Sequence, residues 1–265
     1  MNKVIAGLIV LSVLLLVTLL YFVNKVRRYK RKIIMYRTHE TFQPGLIKAV
    51  TAEEFDPRFR IRATGPLPSS EIRFIAQYKV QGGIDDFESW IICNLAKTAN
   101  RIFEFGTCTG KTAFLMAANA PKDAKITTIT LSPEQEARYR EEKGDEKTDT
   151  SSALVESGFN EFFYAGTPEE KKIEQLLGDS KDFDEIPYAG KCDLIFVDGS
   201  HARSYVESDS QKALRMVSRG GVILWHDYRG PLRTQGVFLT LNELGKELPL
   251  VHIKGTCLVA YRHPL

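Results

Sequence analysis

The hydrophobic pattern of the chain changes character twice. Residues 4–23 form an almost unbroken apolar run whose only polar members are Ser12 and Thr18. As a helix rising 1.5 Å per residue, such a run reaches about 30 Å, the thickness of a hydrocarbon core. A cleaved signal peptide would have a shorter apolar stretch and a small-residue cleavage site, whereas Tyr21-Phe22-Val23 leads directly into basic residues. The run therefore predicts one uncleaved membrane-spanning helix. Between residues 33 and 83 the periodicity is broken by Pro44-Gly45, Asp56-Pro57, Gly65-Pro66-Leu67-Pro68 and Gly82-Gly83. These are turn and loop signals, and they leave a linker and lead-in segment with one short helix near 70–79.

Beyond Gly83, helical and strand-like pieces alternate. Residues 86–97 carry Phe87, Trp90, Ile91 and Leu95 at helical spacing, 101–105 is a short apolar strand, 112–119 is helical again and 126–131 is a β-branched strand. Residues 141–152 are polar and predict an exposed excursion. Strand-length apolar runs follow at 173–177, 193–197 and 222–225, helical segments lie near 203–218 and 236–247, and 250–253 with 257–261 close the chain as a pair of strands. Strands alternating with helices imply the doubly wound, Rossmann-like α/β class, a mostly parallel sheet covered on both faces. Three regions result: a membrane anchor with its basic flank over 1–32, the lead-in over 33–83, and the α/β domain over 84–265. Ligands of such sheets sit beyond the carboxyl ends of the strands, so candidate chemistry is sought there.

Charge sets the orientation of the anchor. Seven of the 36 basic side chains lie in residues 1–32, which hold no acidic one, and six of the seven follow the apolar run. The positive-inside rule then predicts a single-pass membrane protein whose carboxy-terminal domain is cytoplasmic, with the basic cluster drawn to anionic headgroups. Residues 33–265 retain 29 basic against 33 acidic side chains, which excludes a broad basic face for nucleic acid. Cys93, Cys108, Cys192 and Cys257 form no CxxC pair, which argues against a zinc ribbon or a disulfide framework.

After the strand at 101–105 comes Glu104-Phe105-Gly106-Thr107-Cys108-Thr109-Gly110-Lys111-Thr112. Two glycines allow a tight turn and close approach of backbone to a ligand at a helix start. The dinucleotide pattern GxGxxG fails, because Cys108 and Lys111 stand where it needs glycine. The phosphate-binding GxxxxGK[ST] pattern finds Gly110-Lys111-Thr112 but has Phe105 at its first glycine. An acidic residue followed by GxxxG, the loop of S-adenosylmethionine (SAM) enzymes, matches at every position.

Residues 104–113 thus resemble the first motif of class I SAM-dependent methyltransferases, and of the catechol-type O-methyltransferases in particular. The resemblance continues in order through 126–133, Gly178-Asp179-Ser180, Asp198-Gly199-Ser200-His201 and 220–227, and covers about residues 82–262. It implies a seven-stranded sheet with the last strand antiparallel, SAM as cofactor, and methyl transfer to a hydroxyl of a small-molecule or glycosyl acceptor. It also implies that Glu104, Gly106, Thr107 and Gly110 border the methionine end of SAM, and that Asp179 and Ser180 lie near the adenine. Asp198 would border the cofactor as well. The family's ribose-holding carboxylate falls at Thr130, which can make a single hydrogen bond; Glu134 or Glu136 is a candidate substitute.

In the catechol-type enzymes an aspartate after the fourth strand and an acidic–amide pair after the fifth hold magnesium, and a lysine three residues past the aspartate is the base. Those places here read Asp198, His226-Asp227 and His201. A histidine at the last position also resembles sugar O-methyltransferases that modify macrolides. The resemblance implies a divalent metal, Mg2+ or Mn2+, on Asp198, His226 and Asp227, with His201 as general base at an unperturbed pKa near 6.5. His226 as a ligand would favour a softer ion than magnesium. His39, His252 and His263 read as structural or exposed, and Cys108 as a small space-filler. Two other functions stand against methyl transfer: a catalytically silent scaffold or sensor of the same fold, and a P-loop-type nucleotide hydrolase.

Overall fold

The β-branched and aromatic runs read from the sequence form strands at nearly the expected places. The computed structural model describes residues 5, 11–27, 47–76, 82–231 and 233–265. The chain divides into two units, Met1–Phe42 and Gln43–Leu265. In the first, residues 11–27 are helical (α1) and carry exposed apolar side chains such as Leu15 and Leu19. Residues 4 and 6–10 of the expected span lie outside the described residues. Among those described, no helix is long and apolar enough to cross a membrane.

The second unit is built on β1 (Lys48–Val50), β4 (Arg101–Phe105), β5 (Lys125–Thr130), β6 (Ile173–Leu177), β7 (Cys192–Val197), β8 (Val217–Trp225), β9 (Val251–Ile253) and β10 (Val259–Arg262); β2 (Ile61–Arg62) and β3 (Gly65–Pro66) form a separate small ladder. The sheet order is β1-β9-β10-β8-β7-β4-β5-β6. Neighbours from β8 to β6 run parallel, and β10 runs antiparallel to both β8 and β9. Eight strands stand where the resemblance implied seven. The extra one is β1, which pairs in parallel with β9. It comes from the lead-in, and with Phe59 wholly buried that segment is part of the core. Three residues beside turn signals are too few for a period-two pattern to show, so the sequence reading passed over β1.

The helices are α2 (Ala52–Phe55), α3 (Asp86–Ala96), α4 (Lys111–Asn119), α5 (Lys147–Glu156), α6 (Arg203–Met216) and α7 (Gln235–Leu244). Alternation along the strands sends Ile102, Ile126, Leu194, Phe196 and Leu224 into a core with Ile91, Ile92 and Leu95 of α3 and Phe114 and Leu115 of α4. The opposite face, with Phe103 and Phe105, meets Phe183 and Tyr188, and Trp225 donates to Ser210 Oγ of α6 at 2.9 Å. Burial on both faces explains why these strands read as continuous apolar runs.

Two helix expectations fail. No helix forms over 70–76: Pro68–Ser70 makes one 3-10 turn and 71–76 are irregular, while 77–79 lie outside the described residues. The polar stretch 141–152 is not wholly an exposed excursion, because α5 starts inside it and buries Asp149 and Thr150. Its polar residues face the site, where apolar periodicity carries no signal.

The chain leaves β4 outward through β5 and β6, then returns to place β7 on the other side of β4. That reversal is the topological switch point, where doubly wound sheets bind ligands. There Gly106, at φ +96°, passes so close to β7 that a Cβ would lie 2.1 Å from the Asp198 carbonyl oxygen. Any side chain would force the two strand ends apart.

Candidate active site

Two clefts open at this end of the sheet and meet. The first, of about 570 Å³, is lined by Gly106 and Cys108 after β4, Thr130 at the end of β5, Asp179 and Ser180 after β6, and Asp198 to Ser200 after β7. Tyr139 and Tyr205 form an aromatic wall, their rings stacked at 4.4 Å between centroids and 15° between planes. The Tyr205 hydroxyl donates to Asp179 Oδ2 at 2.9 Å, and Tyr139 pairs with Ser200 Oγ at 2.7 Å. Asp179 Oδ1 accepts from the Lys181 backbone at 2.9 Å, so this carboxylate also braces its own turn. Asp209 of α6 is 1% exposed and lines the cleft, and its Oδ1 has no hydrogen-bond partner among the described residues. Burial pushes its carboxyl up to about 7, despite a hydrogen bond from Ser180.

Of the eight residues expected around the cofactor, Gly106, Thr130, Asp179, Ser180 and Asp198 line this cleft. Glu104, Thr107 and Gly110 do not. A Cβ on Gly110 would come within 2.7 Å of the Tyr164 ring, so protein fills the space beside that glycine. Thr107 and Glu104 meet through Thr128, whose hydroxyl lies 2.7 Å from Thr107 Oγ1 and 2.6 Å from Glu104 Oε2. Glu104 is fully buried with Oε1 unpartnered among the described residues, and burial pushes its carboxyl to about 8. The three support the turn from behind. Glu134 and Glu136 do not line the cleft, so no carboxylate from that helical turn takes the ribose place beside Thr130. Lys111, which the phosphate-loop reading needs in the open, is buried and lines neither cleft.

The second cleft, of about 1000 Å³, shares Cys108, Glu156 and Asp198 with the first. Asp198, His201, His226 and Asp227 gather in its wall. His201 Nε2 lies 2.6 Å from Asp227 Oδ2, and Arg229 Nε lies 2.7 Å from Asp227 Oδ1. His226 Nδ1 lies 2.9 Å from Asp198 Oδ1, and its Nε2 lies 3.1 Å from Glu88 Oε2. Glu88 is the N3 residue of a capping box with Asp85 at the start of α3, and its Oε1 accepts from the Cys257 backbone at 2.7 Å. A helix-start signal in the sequence thus concealed a site residue.

These contacts revise the expected roles. His226 has a carboxylate at each ring nitrogen, so it would have to give up one to ligate a metal. Two donor sets converge within 4.8 Å among the described residues, Asp198 with His201 and Asp227, and the buried Glu88 with His226 and Cys257. His201 is not an unperturbed imidazole: burial opposes its protonation, but Asp227 outweighs that and raises it to about 9. For His226 burial likewise opposes the charge, while Asp198 and Asp227 hold it protonated well above the ordinary histidine range. Burial opposes ionisation of Glu88 too, and His226 overrides it, to about 2. Cys108 and Asp227 are the only non-glycine residues with positive φ among those described, at +44° and +59°. Both line this cleft, and strained backbone of this kind concentrates at functional sites. His252, by contrast, is a buried structural residue 2.9 Å from the Thr256 carbonyl, His263 meets the Pro264 carbonyl, and His39 lies outside the described residues.

Residues 103–228 match the family described as a methyltransferase domain. The match spans just under half of the chain, from β4 through the turn after β8. Among solved structures, the chain is similar to the O-methyltransferase TomG from Streptomyces achromogenes in complex with SAM, at 18% identity over 84% of this chain and 94% of that one, with a TM-score of 0.45. It is similar to an O-methyltransferase from Bacillus cereus in complex with SAH, at 15% identity over 69% and 83%, TM-score 0.46. A third is the Podospora anserina methyltransferase PaMTH1 bound to SAH, at 16% identity over 69% and 80%, TM-score 0.46. No curated protein matches the chain.

Proposed function

We propose that the protein is a membrane-anchored, SAM-dependent O-methyltransferase. One observation carries the reading: a histidine–aspartate pair, His201 and Asp227, faces a cleft that opens through Asp198 into a second cleft walled by aromatic rings. The first cleft suits SAM, with stacked tyrosines for a flat base and the unpartnered Asp209 oxygen for a hydrogen-bond donor. The acceptor hydroxyl occupies the second. SAM, when bound, would supply the methyl group for the acceptor oxygen, and His201 would take the proton of that hydroxyl. Asp227 raises His201 to about 9, so the base form grows as pH rises toward that value; in it Nε2–H is directed at Asp227 and the lone pair sits on Nδ1, a tautomer fixed as in other general-base pairs.

The same residues fit a divalent cation. Asp198 and Asp227 would be its donors while His201 serves as the base, and when bound it would stabilise negative charge on the acceptor oxygen. The purified full-length chain should bind SAM by calorimetry and leave ATP unbound; tight ATP binding without SAM binding would overturn the assignment. EDTA should abolish methyl transfer that added Mn2+ restores, and full activity in EDTA would remove the metal.

The anchor reading rests on the apolar run 4–23 and the basic residues after it. Protease added to right-side-out vesicles should spare the domain, and digestion there would refute the cytoplasmic placement.

A further inference from the structure

Behind the wall of the second cleft lies a cluster that the proposed chemistry does not use. Glu88 in the first turn of α3, His226 after β8 and Cys257 between β9 and β10 are 3%, 5% and 2% exposed. Glu88 Oε2 lies 3.1 Å from His226 Nε2, and Glu88 Oε1 lies 2.9 Å from Cys257 Sγ. One donor atom from each of the three lies within 4.8 Å of the other two. Glu88 and Cys257 belong to none of the motifs that carry the family resemblance, and both fall outside the matched residues 103–228.

A thiolate, an imidazole and a carboxylate are the ligand types of zinc. Tetrahedral zinc, with bonds of about 2.0–2.3 Å, holds its donors roughly 3.3–3.6 Å apart, so the contacts in this cluster need to open by less than about 1 Å. The two oxygens of Glu88 face different partners and together supply two of four positions, which closes the site without a solvent ligand. The far side of the imidazole is already set. His226 Nδ1 lies 2.9 Å from Asp198 Oδ1, and a carboxylate at that nitrogen fixes the tautomer and orientation of a zinc-bound histidine. Arg229, whose guanidinium reaches Cys257, favours the thiolate.

Charge points the same way. Without metal the trio holds a carboxylate, an imidazolium and, because burial pushes the Cys257 thiol up, a neutral thiol, so its charges cancel. One Zn2+ in place of the imidazolium Nε2 proton and the thiol proton leaves them cancelled, and the ion brings no uncompensated charge into the interior.

We propose that Glu88, His226 and Cys257 form a buried structural zinc site that ties α3, β8 and the turn before β10 together and holds the histidine behind Asp198. The site is separate from a cation on Asp198 and Asp227, and it does not depend on the methyltransferase reading.

The test uses the full-length chain in detergent, purified without a polyhistidine tag, stripped with a chelator and reloaded with Zn2+ or Co2+ alone. After desalting, elemental mass spectrometry should find zinc equimolar with the chain. The cobalt form should show a thiolate-to-cobalt charge-transfer band, which a site on Asp198 and Asp227 cannot produce because it has no sulfur. Cys257→Ser should abolish the band, and both Cys257→Ser and Glu88→Gln should weaken zinc retention at least about tenfold. Zinc should raise the unfolding temperature of the wild type and leave that of Cys257→Ser where it is. Absence of the band in the wild type, its survival in Cys257→Ser, or unchanged zinc retention by Glu88→Gln would each overturn the proposal. If Cys257→Ser does not fold by circular dichroism, the wild-type band and Glu88→Gln decide.

Discussion

The two clefts share Asp198 yet are stabilised in different ways. The cofactor-side cleft is held by backbone and packing: Gly106 pressed against the β7 terminus, stacked Tyr139 and Tyr205, and Asp179 bracing its own turn. The acceptor-side cleft is held by charge, with Glu88, Asp198 and Asp227 set among His201, His226 and Arg229. A packed wall specifies shape and tolerates small polar changes. A charged wall tolerates few, because removing one member of a buried ion network leaves its partners uncompensated. Substitutions should therefore sort by cleft.

The largest effect belongs to the charged side. His201→Ala should lower turnover 10²- to 10³-fold, within the range of general-base loss, while SAM affinity changes less than twofold. Matched losses in turnover and SAM affinity would show that the clefts are not separable.

Glu104 stands behind the packed side and tests stability alone. Burial raises its folded-state carboxyl to about 8 from an ordinary 4.5, so the folded chain binds the extra proton between those values. Its contribution therefore becomes less favourable as pH rises from about 4.5 to 8 and levels off above that. Glu104→Gln should gain on the wild type across this window, by roughly 2–4 kcal/mol at pH 9 and little at pH 5. Denaturation curves that keep the same separation at both pH values would refute the burial argument.

Tyr205→Phe removes the hydroxyl that donates to Asp179 and accepts from the Arg140 backbone, and the bond to Asp179 is worth about 1 kcal/mol. Cofactor affinity should fall about fivefold with turnover at saturating SAM unchanged. Reduced turnover without a change in affinity would place Tyr205 on the wrong side of the comparison.

The sequence was most informative where burial imposes a period. Strands β4, β5, β6, β7 and β8, helices α3, α4, α6 and α7, and the residues just after each strand follow from apolar spacing and the switch-point rule. What escaped lies where the period vanishes or a residue has a second use. Helix α5 turns Asp149 and Glu156 toward ligand space, so it resembles a polar loop. Glu88 looks like an ordinary capping residue, and Tyr139 sits in a polar tract. The partition between His201 and His226 depends on which carboxylates they meet, and residues on α3, β7 and β8 come together only in three dimensions.

Glu88 sets a limit on how far the protein can be shortened. It precedes the segment that matches the methyltransferase family, and Cys257, whose backbone it accepts from, follows that segment. A fragment trimmed to residues 103–228 would keep His226 and lose the carboxylate at its Nε2, leaving a buried cation half paired. The family boundaries therefore mark a unit of ancestry and not a unit that can ionise correctly on its own. A shortened version has to keep both Glu88 and Cys257.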